Sequence, residues 1–305
     1  MSDHLELSDV TPSRLQDPPQ AADGLTSTGR KASTGPLSPL RHPFAWGSRY
    51  GGMIRELAVT DFKLKYQGSV LGYLWSFAKP LMLFAVLYFV FTRFVPAGAR
   101  VPHYGHYLLL GIVLWTYFVD GTLVGMVSIV DRSDLIRKVY FPRIVIPVAS
   151  SISALITLGL NLVIIFAFIL VAGIGFRPTL PLFVLVLLEL YVLTLGCSLL
   201  LAALFVRFRD FRHIWEVVLQ VLFYATPIIY PLSLVPRRVA PLLALSPMAQ
   251  IVEDARKVLI TPETMTVTQL LPLPLALFPY LVPVVLVVAG YWYFQSTASK
   301  FAEEL

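Results

Sequence analysis

The chain has 305 residues, of which 57% are hydrophobic and only 14% charged, where an ordinary soluble domain carries roughly 25% charge. That balance excludes a soluble enzyme and fits one integral membrane domain, since a spanning helix needs about 20 apolar residues. The net charge of +6 does not point to nucleic acid, because the basic residues sit between hydrophobic runs, where membrane orientation accounts for them. The single cysteine, Cys197, lies in an apolar run and is expected to be a small core residue. It allows no intramolecular disulfide and no Cys-based metal cage.

Residues 1–49 hold Pro12, Pro18, Pro19, Pro36, Pro39 and Pro43 among Ser, Thr, Gly and charges, with too few large apolar residues to build a core. A disordered tail is expected. Without an apolar h-region or a small-residue cleavage site it is not read as a signal peptide and stays cytoplasmic. Gly24 and Gly29 have the spacing of a phosphate loop, but Arg30 and Lys31 stand where Lys and then Ser/Thr are required, and no hydrophobic strand precedes them. No ATP site is expected on this chain.

From Met53 to Gln67, Ile54, Leu57, Ala58 and Phe62 share a helical face opposite Arg55, Glu56, Lys63 and Lys65. The pattern predicts an amphipathic helix on the inner membrane surface. Six apolar runs follow, at about 71–94, 107–130, 144–174, 180–206, 214–234 and 271–294, each long enough to span. The last carries Pro272, Pro274, Pro279 and Pro283, so its first turns are expected to be irregular.

Orientation follows from the loops. With the amino terminus inside, the short inner loops collect Arg132, Arg137, Lys138, Arg143, Arg207, Arg209 and Arg212, whereas Arg93, Arg100 and Arg177 lie on the short outer ones. Both termini are therefore cytoplasmic on the positive-inside rule. The segment 235–270 also falls outside, carrying Arg237, Arg238, Arg256 and Lys257. It is too polar to cross yet places Val252, Ala255, Val258 and Leu259 on one helical face. One or two short helices at or re-entering the outer surface are expected there.

Four segments, in this order and spacing, carry a family resemblance: Leu57 to Lys79 (LAVTDFKLKYQGSVLGYLWSFAK), Leu135 to Pro147 (LIRKVYFPRIVIP), Thr226 to Pro231 (TPIIYP) and Leu245 to Leu259 (LSPMAQIVEDARKVL). Together they resemble the permease subunit of ABC-2 polysaccharide exporters, which move O-antigen, capsule, teichoic acid or mycobacterial galactan. The resemblance runs from about Met53 to Phe294. Two departures are a longer Pro-rich tail and Ser246, where the family commonly has an Asn-Pro pair. The implied fold is all-α and integral to the membrane: six transmembrane helices, an interfacial amino-terminal helix, a cytoplasmic coupling helix between spans 2 and 3, and short outer re-entrant helices between spans 5 and 6. Residues 50–305 would form the ABC-2 transmembrane domain of a bacterial inner-membrane protein. The implied partners are a second copy of the chain, two copies of a separate ATPase that binds Mg-ATP, and a lipid-linked glycan, with no cofactor on this chain.

The resemblance makes the loop after span 2 the coupling helix. Asp131, Asp134, Leu135, Arg137, Lys138, Tyr140, Phe141 and Arg143 are the residues offered to the ATPase, against the plainer reading of an inner loop with ordinary positive charge. Phe141-Pro142 ends that helix, because the residue before proline avoids the helical region. On the interfacial helix, Arg55, Asp61, Lys63 and Lys65 could meet the partner or anionic headgroups, or simply anchor the helix.

Sugar rings stack on aromatic planes, so Phe77, Phe84, Tyr88 and Phe91 in span 1 and Trp215, Phe223 and Tyr230 in span 5 are channel-lining candidates. Core packing, lipid contact and interfacial anchoring are their alternatives. Lys79, Asp120 and Glu189 fall within spans, where ionisable groups cost at least about 2.5 kcal/mol and face a cavity or each other; a polar path and a structural network both fit. Arg207, Arg209, Asp210 and Arg212 could meet the phosphate of a lipid-linked substrate or supply inner-leaflet charge. The histidines His4, His42, His103, His106 and His213 are dispersed, and no metal site or catalytic residue is expected.

Three functions fit these residues to different degrees. The first is a permease that passes a polyprenol-linked polysaccharide outward, driven by ATP hydrolysis on another chain. The second is an exporter of a drug or lipid. The third is a polyprenol-dependent transferase, which would need a catalytic carboxylate pair, and only Asp131 and Asp134 lie close together on a central loop.

Overall fold

The structure is a computed structural model that describes residues 43–68, 72–94, 101–175, 177–299 and 301, with side chains from Tyr50 onward. The tail expected over 1–49, with the Gly24 to Gly29 loop, His4 and His42, lies outside them except where the first helix begins. The helices are α1 (Pro43–Tyr66), α2 (Leu74–Arg93), α3 (Tyr104–Asp131), α4 (Ser133–Lys138), α5 (Val145–Val171), α6 (Leu182–Arg207), α7 (Phe211–Ala225), α8 (Ala240–Ala244), α9 (Pro247–Leu259), α10 (Val267–Leu270), α11 (Leu273–Ala276) and α12 (Phe278–Ala298). Among the described residues there is no strand.

Five helical stretches are long and apolar enough to cross a membrane: Leu74–Arg93, Tyr104–Asp131, Val145–Val171, Leu182–Arg207 and Leu273–Ala298. They correspond to the first four apolar runs and the last. The fifth run, expected over 214–234, is not one helix. The 15 residues of α7, Phe211–Ala225, reach about 22 Å at 1.5 Å per residue, and the chain then leaves the helix at Thr226 (φ −84°, ψ 135°). Pro227 is the physical reason, since it forces its predecessor into extended backbone and cannot donate an amide hydrogen. A short 3-10 turn, Leu232–Leu234, completes the run.

α3 is the axis of the fold, largely covered by protein, whereas α2 is mostly uncovered. α3 packs chiefly against α5 and α6, and more lightly against α2, α9 and α7. Leu108, Leu110, Ile112, Leu114 and Met126 on α3 are wholly buried with Leu190 of α6 and Ile165 of α5 in the main core. Between apolar helices in lipid the hydrophobic effect adds little, so close approach through small residues does the holding. The α6–α12 pair, the most extensively packed in the fold, shows this. A Cβ on Gly196 would stand 2.6 Å from the Val287 nitrogen, and one on Gly290 would stand 2.6 Å from the Gly196 carbonyl oxygen. Only bare backbone fits on both sides of that crossing.

The flanking elements follow the sequence. α1 extends the predicted 53–67 helix toward the amino terminus, with Ala58 and Tyr66 buried and Arg55, Lys63 and Leu64 exposed. Where one or two short helices are expected between residues 235 and 270, the structure has three, α8, α9 and α10. Ser246 takes the N-cap position of α9 with extended backbone (φ −71°, ψ 125°), and Pro247 follows where an amide hydrogen is not needed.

Candidate functional site

Three clusters bring the candidate side chains together: one on the loop between α3 and α5, one among α1, α2 and α3, and one where α9 meets the broken end of α7.

The six-residue α4 has no buried residue. Asp131, Asp134, Arg137, Lys138, Val139 and Tyr140 are exposed, the Tyr140 side chain entirely, while Leu135, Phe141 and Arg143 are half-buried. Ile136 and Phe141 root the loop in a second core with Ile129, Ile144, Val206, Phe294 and Phe301. The result is a charged, aromatic-tipped knob on an apolar base. The loop is also tied to α1, because Arg132 pairs with Asp61, and Ser150 of α5 donates to the other Asp61 oxygen at 3.3 Å. Partial burial lowers the Arg132 guanidinium from its ordinary value and shields the pair from part of the surrounding water, which strengthens it. Asp61 is therefore engaged within the chain, whereas Arg55 and Lys63 face outward.

One turn further along α1, Lys65 reaches Asp120 of α3 at 3.2 Å, and Lys79 of α2 reaches the other oxygen of the same carboxylate at 3.4 Å. Two of the intramembrane charges thus meet each other. A cavity of about 350 Å³ opens beside them between α1, α2, α3 and α5. A groove of about 330 Å³ lies between α2, α3 and α7, lined by Lys79, Thr116, Trp115, Glu216, Gln220, Phe223 and Tyr224.

The aromatic candidates lie around these spaces. Phe84, Phe91, Trp215, Phe223 and Tyr230 are half-buried and lean on the main core; Phe77 is half-buried and Tyr88 exposed. Trp215 donates its indole hydrogen to Thr122 at 3.1 Å and meets Phe118 edge-on at 6.4 Å. Phe223 meets Trp115 edge-on at 5.9 Å. Tyr230 donates to the Tyr224 carbonyl oxygen at 2.9 Å. Among these, Phe223 lines the groove, with Trp115 and Tyr224 beside it, two residues outside the sequence candidates.

Glu189, the third intramembrane charge, lies elsewhere. Its carboxylate accepts from Gln250 of α9 at 3.2 Å. The same Gln250 amide donates to Asp254 at 2.8 Å, and Tyr280 of α12 donates to Asp254 at 2.7 Å.

The most heavily bonded charge is Arg256, which positive-inside counting places among the outer loop cations. It is fully buried. Its guanidinium donates to the carbonyl oxygens of Pro227 (2.5 Å), Ile228 (2.7 Å) and Tyr107 (3.1 Å) and to Glu253 Oε1 (2.9 Å), and it lies 3.5 Å from the Tyr107 ring centroid. Tyr107 in turn donates to Glu253 at 3.0 Å, and Tyr104 donates to the Ile229 carbonyl oxygen at 2.8 Å. Burial pushes the Glu253 carboxyl above the usual carboxylate range, while Arg256 and the Tyr107 hydroxyl pull it back. Gly111 leaves the space, since a Cβ there would sit 2.6 Å from an Arg256 nitrogen.

The cluster satisfies carbonyls of the non-helical segment that follows α7. Two of the four resemblance segments, Thr226 to Pro231 and Leu245 to Leu259, thereby meet at one side chain. A signal was present in the sequence: Arg256 stands at i+4 from Val252 and i−3 from Leu259, on the apolar stripe of α9 itself.

Arg207 and Arg209 lie over the rings of Phe208 and Phe205, and Arg212 pairs with Glu216 at 3.1 Å. Cys197 is buried, as expected. Among the described residues no group of three or more His, Cys, Asp or Glu side chains is arranged to hold a metal ion.

A family model described as ABC-2 type transporter matches residues 54–260, from α1 to the end of α9. The O-antigen export system permease protein RfbA of Myxococcus xanthus is 32% identical over 263 residues, covering 84% of this chain and 96% of that protein. Two proteins of the same name from Klebsiella pneumoniae are 28% identical over 200 residues (65% of this chain, 76% of the relative) and 26% identical over 249 residues (80% and 92%).

Proposed function

From its membership of the ABC-2 type transporter family, we infer that the chain is the permease subunit of an ATP-driven exporter of polysaccharide. The observation that carries this reading is the 32% identity to an O-antigen export permease across 96% of that relative's length. It is a likeness of whole proteins, not of one motif.

The finer reading has a polyprenol-linked glycan, an O-antigen-like polymer, galactan or teichoic acid, entering at the cytoplasmic face of the inner membrane and leaving outward. Two copies of the chain enclose the path with α7 of each completing the sixth crossing, and both termini are cytoplasmic. Two copies of a separate ATPase, carrying Mg-ATP, dock beneath. The exposed knob of α4 supports the docking, because its apolar base fixes the orientation of Asp134, Arg137, Lys138 and Tyr140. Its ion pair to α1 offers a rigid path for a stroke of the ATPase into the membrane. The groove with Trp115, Phe223 and Tyr224 beside Glu216 and Gln220 supports the cargo, since sugars pair aromatic stacking with a few polar contacts.

The test is depletion of the protein in its own host, followed by sizing of polyprenol-linked glycans and a membrane-impermeant probe of their sidedness. Long polymer accumulating on the inner face is the expected result. Accumulation of short precursors alone would point to a biosynthetic transferase, and an unchanged pool would overturn the glycan reading in favour of a drug or lipid exporter.

A further inference from the structure

We propose that Lys65 and Lys79 form a binding site for the phosphate ester of a lipid anchor, with Asp120 as the displaceable internal counterion. The inference rests on the export reading for its biological setting, but its geometry stands independently.

Charge comes first. Two ammonium groups share one carboxylate, at 3.2 and 3.4 Å, which leaves one positive charge uncompensated. The nearby Asp61 does not offset it, because Arg132 already neutralises that carboxylate. An ionisable group on a spanning helix is retained where it faces a polar cavity or a ligand. Here the cavity exists: its volume of about 350 Å³ falls in the range of about 300–1,000 Å³ typical of small-ligand sites.

A second observation points to a ligand. Tyr66 is 8% exposed and lines this cavity, and its buried hydroxyl has no hydrogen-bond partner among the described residues. A buried hydroxyl left unsatisfied carries a desolvation cost. A phosphate oxygen accepting from Tyr66 and from the two lysines would remove it and would take the charge that Asp120 only half supplies.

The surroundings specify an amphiphile. Starting at Lys79, α2 presents Met82, Val86 and Phe89 at helical spacing, all exposed. That stripe suits a hydrocarbon tail beside a phosphate held at Lys79. On the other side of the same lysine lies the groove with Trp115, Phe223 and Tyr224, suited to a sugar. Lys79 lines both spaces, so a glycan, its phosphate and its lipid fit in that order. The shared chemistry is a phosphate ester on a lipid, and both a polyprenyl carrier and an ordinary anionic phospholipid supply it.

The test uses the full chain in phosphatidylcholine nanodiscs doped with either polyprenyl phosphate or phosphatidic acid, with retained lipid read by native mass spectrometry. Lys65→Gln and Lys79→Gln are each expected to weaken retention of polyprenyl phosphate by about tenfold, the scale of one charge-assisted hydrogen bond. Asp120→Asn is expected to strengthen it, since the internal competitor is gone. The gain in Asp120→Asn cannot come from misfolding, so it separates a binding role from a structural one. Retention that falls in Asp120→Asn as it does in the lysine variants, or that ignores the lysines, would overturn the proposal. Lysine-dependent retention of phosphatidic acid equal to that of polyprenyl phosphate would uphold the phosphate site and assign bulk lipid as its occupant. If depletion in the host leaves lipid-linked glycans unchanged while the nanodisc result holds, the export reading fails and the site remains.

Discussion

The Arg256 guanidinium lies over the Tyr107 ring, its central carbon 3.5 Å from the centroid, while donating to the Tyr107 carbonyl oxygen at 3.1 Å. One residue thus supplies a π face and an acceptor to the same cation. The remaining donors close on Glu253 and on the two carbonyls after α7, so a full charge rests inside the protein without contact with water.

Arg256→Met is expected to destabilise the chain by about 3–5 kcal/mol, the cost of removing one partner of a buried pair. It strands the Pro227 and Ile228 carbonyls and leaves Glu253 uncompensated. Arg256→Lys recovers little, since an ammonium cannot reproduce the planar fork. Thermal unfolding in detergent measures both, and a loss under about 1 kcal/mol for Arg256→Met would contradict the assignment.

Gly111→Ala is expected to act through the same cation. The added Cβ falls 2.6 Å from an Arg256 nitrogen, and overpacking of this kind costs about 1–3 kcal/mol. In the Arg256→Met background the penalty should shrink, so the cycle of single and double variants is non-additive. Equal penalties in both backgrounds would show that Gly111 is needed for another reason.

Gly196→Leu is expected to separate α6 from α12. No rotamer avoids the clash, because the obstruction at 2.6 Å is backbone, the nitrogen of Val287. Cysteine crosslinking between the two helices should fall along with thermal stability, whereas Gly159→Ala, with nothing within 4 Å, should leave both unchanged.

Asp61→Asn and Arg132→Gln are each expected to lower transport through loss of the tie between α1 and the α4 loop, about 1.5–3 kcal/mol for a charged hydrogen bond. The reversed pair, Asp61→Arg with Arg132→Asp, should restore part of it. Transport assayed beside ATP hydrolysis in the assembled complex tests this: hydrolysis is expected to persist while transport falls. Full transport in either single variant would remove the pair from the coupling path.

Tyr140→Ala is expected to weaken capture of the partner ATPase by about tenfold or more, the scale of an aromatic anchor at an interface, with stability unchanged within about 0.5 kcal/mol because the side chain is fully exposed. Undiminished capture in a copurification assay would move the docking surface elsewhere.

The apolar helices and the amphipathic first helix were legible because each is announced by side-chain polarity alone. Long apolar runs became α2, α3, α5, α6 and α12, whereas α4 ends at Lys138, with Val139 already extended, three residues short of the Phe141-Pro142 stop that the sequence predicts. Two matters were not legible. The run 214–234 looks continuous to any hydropathy count, yet Pro227 divides it, because a count registers side chains and is blind to backbone hydrogen bonds. Arg256 likewise counts as one more loop cation, although its place on the apolar stripe of α9 signals burial, because three of its four hydrogen-bond acceptors are backbone carbonyls that no residue type reveals. Lys79 and Asp120 could be named from the sequence, but their meeting at 3.4 Å, and the arrival of Lys65 from α1, depend on three helices converging.

The Arg256 cluster also sets an order of events in synthesis. Tyr107 and Arg256 stand 149 residues apart, and translation at about 5–20 residues per second separates their emergence by about 7–30 s. During that interval α3 exists without its cation, and the Pro227 carbonyl, 29 residues ahead of Arg256, waits about 1.5–6 s at the same rate, served by water or by the insertion machinery. A nascent chain arrested before α9 is therefore expected to be cut by protease near Pro227, and release past Arg256 to abolish that cleavage. This end of the fold closes late, as a lock set only after the eight described helices α1 to α8 have been made.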